Sequence, residues 1–395
     1  MEREALVKKA GVVIIGGGIA GSSLAYVLAK SGVTDVVLVE RKEIASESSG
    51  ANFASVMTTM LPLRPPLLPL FSRSLDAFSN LNEELGRDVE YRTPRVCWIR
   101  PEHLETITGM VESLNELGYG QGGFHMAELE ELRQLEPHAI LGTYGYIDKR
   151  GGQINPLYLT TALGDRAREL GVKVYENTKV KDIKVSGHRV CSVVTDRGEI
   201  ETDYVVNAAG AWGPEIGAMV GLTVPIEHLK CQCIVCEVMP DEIIYFKSII
   251  RTEYFLSDMD QSEGKMNVFG IYKQTVRGTV LLGITEEPGT DKYTTYESMV
   301  AISNNSIREI PKLKEDHIHI MSTFGNLYAV PPDRHVMLGP VEGLENFIMN
   351  CGYADYGIGT GYGAAELLTE MILKGDKEFP IEELRYSPRY GRYEG

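Results

Sequence analysis

Cysteine is scarce in this chain: six in 395 residues, dispersed along its length, which suits a reduced cytoplasm rather than a disulfide framework. No block of lysine and arginine offsets the net charge of −16, so nothing offers a cationic stripe to nucleic-acid phosphates. No apolar run approaches the roughly 20 residues that cross a bilayer. The nearest, LPLRPPLLPL (Leu61–Leu70), is broken by prolines and an arginine and reads as a loop or helix entry, with a membrane-surface contact as the alternative. CQCIVCE brings Cys231, Cys233 and Cys236 together, but no second cysteine pair or nearby histidine completes a metal site. That stretch reads as a buried strand, and no metal is expected. Internal repeats and low-complexity segments are also missing. What remains is an ordinary globular composition, 43% hydrophobic and 24% charged, long enough for two domains or one discontinuous pair.

The informative stretch is VVIIGGGIAGSSLAYVLAKSGVTDVVLVE, from Val12 to Glu40. Val12–Ile15 is a short apolar run rich in β-branched residues, as a strand buried on both faces should be. Leu24, Val27 and Leu28 then recur at helical spacing until Gly32 supplies a stop. Gly16, Gly18 and Gly21 therefore form a G-x-G-x-x-G between a strand and a helix. Gly16 permits the tight turn, Gly18 lets a pyrophosphate approach the backbone, and Gly21 lets helix and strand pack closely. The helix start presents free N–H groups to the phosphates. A second apolar run, Val36–Val39, ends in Glu40, roughly 20 residues after the motif, where a carboxylate accepts both ribose hydroxyls. The pattern predicts dinucleotide binding. Its glycines and Ser22–Ser23 interrupt any continuous apolar core, so it does not read as a signal peptide.

Downstream, SESSGANFAS (Ser46–Ser55) reads as a small, polar loop able to wrap a phosphate or flavin. A helix is predicted from Phe71 to Leu85, then a strand-like VEYRTPRVCWIR at Val89–Arg100 whose proline demotes its centre to an edge or turn, then two helices before Pro137. In GGQINP, Asn155 is a cap and Pro156 suits the first turn of a helix reaching Leu170. VKVYEN, KVKDIKV, RVCSVVTD and IETDYVVNAAG form a strand series with a hairpin at Arg197–Gly198. Cys231–Ile284 is strand-rich, and a helix follows near Tyr296–Ile307. The chain closes on an apolar run, a glycine-studded turn and a helix with Ala364, Leu367, Leu368, Met371 and Ile372 on its buried face.

In that order, the glycine motif with Glu40–Arg41, Ser48–Ser49–Gly50, GGQINP, ENTKV, VVNAAGAW, PPDRHVMLGP and GYADYGIGTGYGAAEL resemble the flavin-dependent D-amino-acid oxidase superfamily over almost the whole chain. Its glycine oxidase, sarcosine oxidase and dye-linked proline dehydrogenase branches are the nearest. The resemblance implies an α/β fold. A Rossmann-like FAD-binding domain of glutathione-reductase type would be assembled from 1–85, 150–230 and 322–395. A substrate-binding α+β domain on a mainly antiparallel sheet would come from 86–149 and 231–321. The resemblance implies FAD rather than NAD, with Gly16, Gly18, Ile19, Ala20, Gly21, Glu40 and Arg41 on its ADP half and Ser48, Ser49 and Gly50 wrapping it. Val180 would meet the adenine through its backbone, with Ala209, Gly210 and Trp212 lining the nucleotide. At the closing turn Gly357, Ile358, Gly359, Thr360 and Gly361 would aim helix-start donors at the reduced flavin.

Relatives that oxidise amino acids clamp the substrate carboxylate with an arginine; the corresponding place here is Tyr328. The lysine that serves the sarcosine oxidase branch is Gly359 here. The cysteine that tethers its flavin is Asn326, so the resemblance implies FAD held noncovalently. Lys273 or Arg64 is left to take the carboxylate. Strand alternation lets only one of Tyr272 and Lys273 face the cavity, and the sequence does not choose. Tyr328, Tyr353 and Tyr356 are candidates for its lining, and Asp355 either attracts a cationic amine or caps the closing helix. The expected activity is oxidation of a primary or secondary amine, an amino acid or N-alkyl amino acid, by hydride transfer to flavin. Oxidation of a hydroxy acid or polyol phosphate is one alternative. An FAD-binding electron-transfer subunit is the other. A small-molecule substrate is expected, an electron-acceptor protein or a second copy of the chain is a possible partner, and nucleic acid is not.

Overall fold

The computed structural model describes residues 5–56, 65–99, 101–118, 123–139, 144–239, 246, 249–252, 266–375 and 378–394. Arg64 lies outside them, as does the first part of LPLRPPLLPL. Along the chain the strands are β1 (Lys9–Ile15), β2 (Val36–Val39), β3 (Ser55–Val56), β4 (Arg95–Ile99), β5 (Phe124–Ala127) and β6 (Tyr144–Asp148). Next come β7 (Gly152–Gln153), β8 (Lys173–Tyr175), β9 (Val180–Ser186), β10 (Arg189–Thr195), β11 (Gly198–Asn207) and β12 (Glu227–Val238). The last are β13 (Ile249–Thr252), β14 (Asn267–Gln274), β15 (Thr279–Pro288), β16 (Ile320–Val330), β17 (Met337–Val341) and β18 (Leu344–Cys351). The helices that frame the site are α1 (Ile19–Lys30), α2 (Leu68–Phe78), α3 (Pro156–Glu169), α4 (Tyr296–Glu309) and α5 (Gly357–Lys374).

The first sheet runs β17-β18-β11-β1-β2-β8, with β9 and β10 added through β11. Its centre is parallel: β1 lies between β2 and β11, and β18 continues beside β11. Both faces are covered, so Val12–Ile15 and Val36–Val39 are buried along their whole length. Helix α1 is buried from Ile19 to Ala29 because it packs on α3 and α5 as well as on the sheet. Asn155 caps α3 as its sequence suggests, its side chain accepting from Tyr158 N at 3.1 Å. The segments of this layer come from the start, middle and end of the chain.

The second sheet runs β16-β12-β15-β14-β13-β4-β6-β5 and is antiparallel except for the β13–β4 pair. Helix α4 packs on one face, against β12, β14 and β15. The opposite face turns toward the first layer.

One local expectation is corrected, and two stretches gain detail. The helix expected over Phe71–Leu85 is two, α2 and Leu81–Leu85, because Ser79 Oγ donates to Asp76 O at 2.7 Å and offers the backbone a turn in place of another helical repeat. In the strand-like Val89–Arg100, with its centre demoted by a proline, the strand is β4, which starts after Pro94, a residue with no N–H for the ladder. Boundaries drawn at 230 and 322 fall inside β12 and β16, which pair with each other from Glu227–Val330 to Cys236–Ile320. The second sheet therefore extends from Glu227 to Val330 on this side.

Candidate active site

A cleft runs along the carboxyl ends of β1 and β2 and on between the two sheets. At its near end Gly16 takes a φ of +114°, and a Cβ there would stand 2.5 Å from Ala208 O, so glycine is required by both backbone angle and space. Gly18 is different: a Cβ would meet only Ser49 Oγ, at 3.0 Å, leaving the start of α1 open to the cleft. Ser49 Oγ accepts from Ile19 N at 2.9 Å. Glu40 is held from two sides, Oε2 accepting from Gly17 N at 2.7 Å and Oε1 from Lys42 N at 2.8 Å. Its carboxylate lines the cleft with lone pairs left for two hydroxyls.

Beyond it the Arg41 guanidinium lies 3.6 Å from the centre of the Trp212 ring and donates to Glu47 at 2.9 Å. Val180, Ala209 and Gly210 complete this end; Gly210, at φ +54°, has open space where a side chain would stand. The loop Ser46–Ser55 closes the middle. Ser48 Oγ donates to Leu327 O at 2.7 Å, tying the loop to β16. Ser55 Oγ is buried against the cleft with no partner among the described residues. Open glycine backbone, a braced carboxylate and an unpaired hydroxyl along one channel fit the two hydroxyls and the phosphates of a dinucleotide.

The far end is walled by the second sheet through Ile271, Ile284 and Tyr328, and by Phe53, Tyr353 and Asp355. The parity of β14 now resolves. A register shift between Phe269 and Tyr272 sets Ile271 on the cleft wall and Tyr272 on the α4 side. There Tyr272 donates to Glu309, receives a bond from Asn305 and stacks on Phe246. It is not in the cleft. Lys273 points the other way, its ammonium 5.2 Å from the centre of the Phe53 ring, but Lys273, like Tyr272 and Tyr356, is not among the cleft-lining residues. The residue is only 3% exposed, and among the described residues no carboxylate lies within ion-pair distance of it. Burial lowers its pKa to about 8, against a partial upward pull from Cys233 and Glu90. Tyr328 bonds Cys231, and burial, reinforced by Cys231, Glu286 and Asp355, holds its hydroxyl well above the usual phenol range. It is therefore a neutral hydrogen-bonding group at physiological pH.

The closing helix is divided. Gly357 and Ile358 reach the cleft, but Gly359, Thr360 and Gly361 do not line it. A Cβ on Gly359 would strike Phe71 at 2.4 Å, and one on Gly361 would press on Ile19 at 3.3 Å. Thr360 Oγ1 bonds Tyr356 O one turn back. These are packing positions between α5 and its neighbours. Tyr356 turns its ring edge-on to Phe71, 6.2 Å between centres, and is absent from the cleft lining. Gly21 and Gly50 likewise serve packing: a Cβ would lie 1.9 Å from Gly16 O or 2.0 Å from Ala45 O. Cys231 and Cys233 are buried in β12 on the side of the larger core, and Cys236 crosses to the α4 side after a bulge. The residues that sequence reading missed are Phe53 and Ser55 in the loop and Ile271 and Ile284 on the wall. The loop composition was a signal for the first two; nothing distinguishes the isoleucines from core.

This geometry has relatives. The chain belongs to the DAO family of FAD dependent oxidoreductases, whose family model matches residues 11–371. That family is of FAD dependent oxidoreductases, and the cleft is its candidate FAD site. The chain is 29% identical over 405 residues to mitochondrial dimethylglycine dehydrogenase of Rattus norvegicus, covering 98% of this chain and 45% of that protein. It spans less than half the length of the mitochondrial relatives it matches. It is 25% identical to hydrogen cyanide synthase subunit HcnC of Pseudomonas protegens, covering 95% of each. Among solved structures, L-proline dehydrogenase from P. horikoshii is similar with a TM-score of 0.83 at 25% identity, covering 96% of this chain and 97% of that one. No helix among the described residues is long and apolar enough to cross a membrane.

Proposed function

We propose that the protein oxidises the C–N bond of a primary or secondary amine, an amino acid or N-alkyl amino acid, to an imine that water then hydrolyses. The observation that carries this reading is the far end of the cleft. It is an apolar wall, Phe53, Ile271 and Ile284, faced by the hydroxyl-bearing Tyr328 and Tyr353, and no histidine stands among the described lining residues; the buried ammonium of Lys273 lies against Phe53 outside that lining. An amine needs only to lose its own proton before hydride leaves; an alcohol would need a base held over the reacting carbon. Bound FAD supplies the hydride acceptor. Lys273 holds the substrate carboxylate, Tyr328 orients a polar group as a neutral donor, and the isoleucines keep water from the reacting carbon. Gly357 and Ile358 offer the N–H groups of the α5 start to the flavin. Asn326 spends its amide N–H on Ala51 O and has no thiol to tether a cofactor, so FAD is held noncovalently.

The names of the dimethylglycine and proline dehydrogenases point to N-substituted amino acids, which supports the amine reading. A second reading, an FAD-binding subunit that passes electrons within a complex, draws on HcnC being named a subunit. All six cysteines are unpaired, in keeping with a cytoplasmic setting. The deciding experiment is the visible spectrum of the purified, FAD-loaded chain under anaerobic conditions with glycine, N-methylglycine, N,N-dimethylglycine and L-proline. The expected result is that at least one bleaches the flavin band within seconds. A flavin band that none of them bleaches overturns the amine reading.

Lys273 gives this site a pH signature. Its ammonium is charged below about 8 and neutral above. Affinity for a non-oxidisable carboxylate such as acetate is therefore full below that value and falls as pH rises through it, about tenfold per pH unit while the lysine titrates. A titration from pH 6 to pH 10 checks this; a flat profile across pH 8 removes Lys273 from the carboxylate site.

A further inference from the structure

Glu47 is out of place in a cleft built for phosphates. It lines the channel beside Ser48 and Ser49, where its charge would repel a dinucleotide, and the reaction above makes no use of it. Three cations from two separate segments converge on it. Arg41 and Lys42, just past β2, bond Oε1 at 2.9 and 2.7 Å, and Lys292, between β15 and α4, bonds Oε2. Burial alone would raise the pKa of this carboxyl, but the bonds from Lys292 and Lys42 outweigh it and hold the group below the ordinary carboxylate range. Glu47 is therefore ionised at neutral pH.

Exposed ion pairs usually contribute little, because both side chains must be ordered to make them. Here both ends are ordered beforehand. The Glu47 side chain is 16% exposed, and its loop is pinned to β16 by Ser48 Oγ on Leu327 O and by Asn326 Nδ2 on Ala51 O. Lys292 extends from a backbone packed on β16: a Cβ on Gly325 would stand 2.5 Å from Lys292 O, and Thr294 bonds Thr323 at 2.7 Å. The second sheet thus reaches out to the very loop whose Ser49 holds Ile19 N at the start of α1. Resting on the cleft as the FAD site, and independent of which amine is oxidised, we propose that Glu47 and Lys292 form a clasp between the two layers that keeps this loop closed over the cofactor phosphates. Both are positioning residues, and the step they govern is FAD release, for which the loop must lift from α1.

The test is the rate at which FAD appears in timed ultrafiltrates of the diluted, FAD-loaded chain. The two partners carry opposite charges, which separates a clasp from a simple field acting on the phosphates. A field alone would make Lys292→Met release FAD faster and Glu47→Gln release it more slowly. A clasp makes both faster. The expected result is release about threefold to tenfold faster in each variant, with no further gain in the double variant and near-native release in Lys292→Arg. Neither side chain is fully buried, so both variants should keep the native melting temperature once FAD is removed. Opposite shifts in the two variants, or rates unchanged in both, overturn the inference and leave the amine reading to its own bleaching test. A native chain that takes up no FAD removes the cofactor assignment and this inference together.

Discussion

Lys273→Met is expected to leave the yellow holoenzyme intact while cutting kcat/KM for carboxylated amines by roughly tenfold to a hundredfold, the 1.5–3 kcal/mol of a hydrogen bond to a charged group. The loss should appear mainly in KM, because the carboxylate is held equally in ground and transition states. The fold should tolerate the change. Methionine has a similar length, and removing a buried charge that has no carboxylate within ion-pair distance among the described residues relieves a desolvation penalty. Melting temperature and bound FAD should therefore match or exceed those of the native chain. A control amine without a carboxylate should react equally with both proteins. Lys273→Arg should recover only part of the loss, since the wider guanidinium must fit beside Phe53. If kcat/KM for carboxylated and uncarboxylated amines falls in parallel, Lys273 supports the cavity rather than the carboxylate.

How much of this was legible beforehand depends on whether the physics is local. Gly16, Gly18 and Glu40 sit within one β-α-β unit, and their spacing alone specifies a turn, an open helix start and a carboxylate at the end of β2. The cap at Asn155 is just as local. Tyr272 and Lys273 were undecidable for a different reason. Alternation says that neighbours face opposite ways, but the absolute parity of β14 is set by its register against β15, and that register shifts between Phe269 and Tyr272. The glycines of α5 are ambiguous in sequence because a missing side chain is equally compatible with an approaching ligand and an approaching Phe71. Domain boundaries at 230 and 322 are not a local matter, since β12 and β16, far apart in sequence, pair across them. The carboxylate clamp was the most instructive absence. Tyr328 stands where an arginine was sought, and of the two cations named in its place Lys273 is buried on β14 while Arg64 lies outside the described residues.

Gly21→Ala is expected to yield a chain purified largely without FAD and with a lowered melting temperature. A Cβ at this position would stand 1.9 Å from Gly16 O, 3.1 Å from Gly16 C and 3.3 Å from Ile14 Cγ2. The first two are backbone atoms of the phosphate turn itself, so no side-chain rotation relieves the overlap. Either α1 moves away from β1 or Gly16 leaves its φ of +114°. Packing strain of this kind costs about 1–3 kcal/mol, more where backbone must yield. It falls on the same N–H groups that would face the phosphates, so cofactor affinity should drop further than stability. Gly109→Ala, in the helix Leu104–Glu116, is the matched control. A Cβ there meets nothing within 4 Å, and it should keep FAD and gain about 0.5–1 kcal/mol. The flavin-to-protein absorbance ratio of the two purified variants decides. A Gly21→Ala chain with native flavin content would mean that α1 and the phosphate turn can separate at little cost, and that the motif's third glycine is not what keeps the cofactor cradle closed.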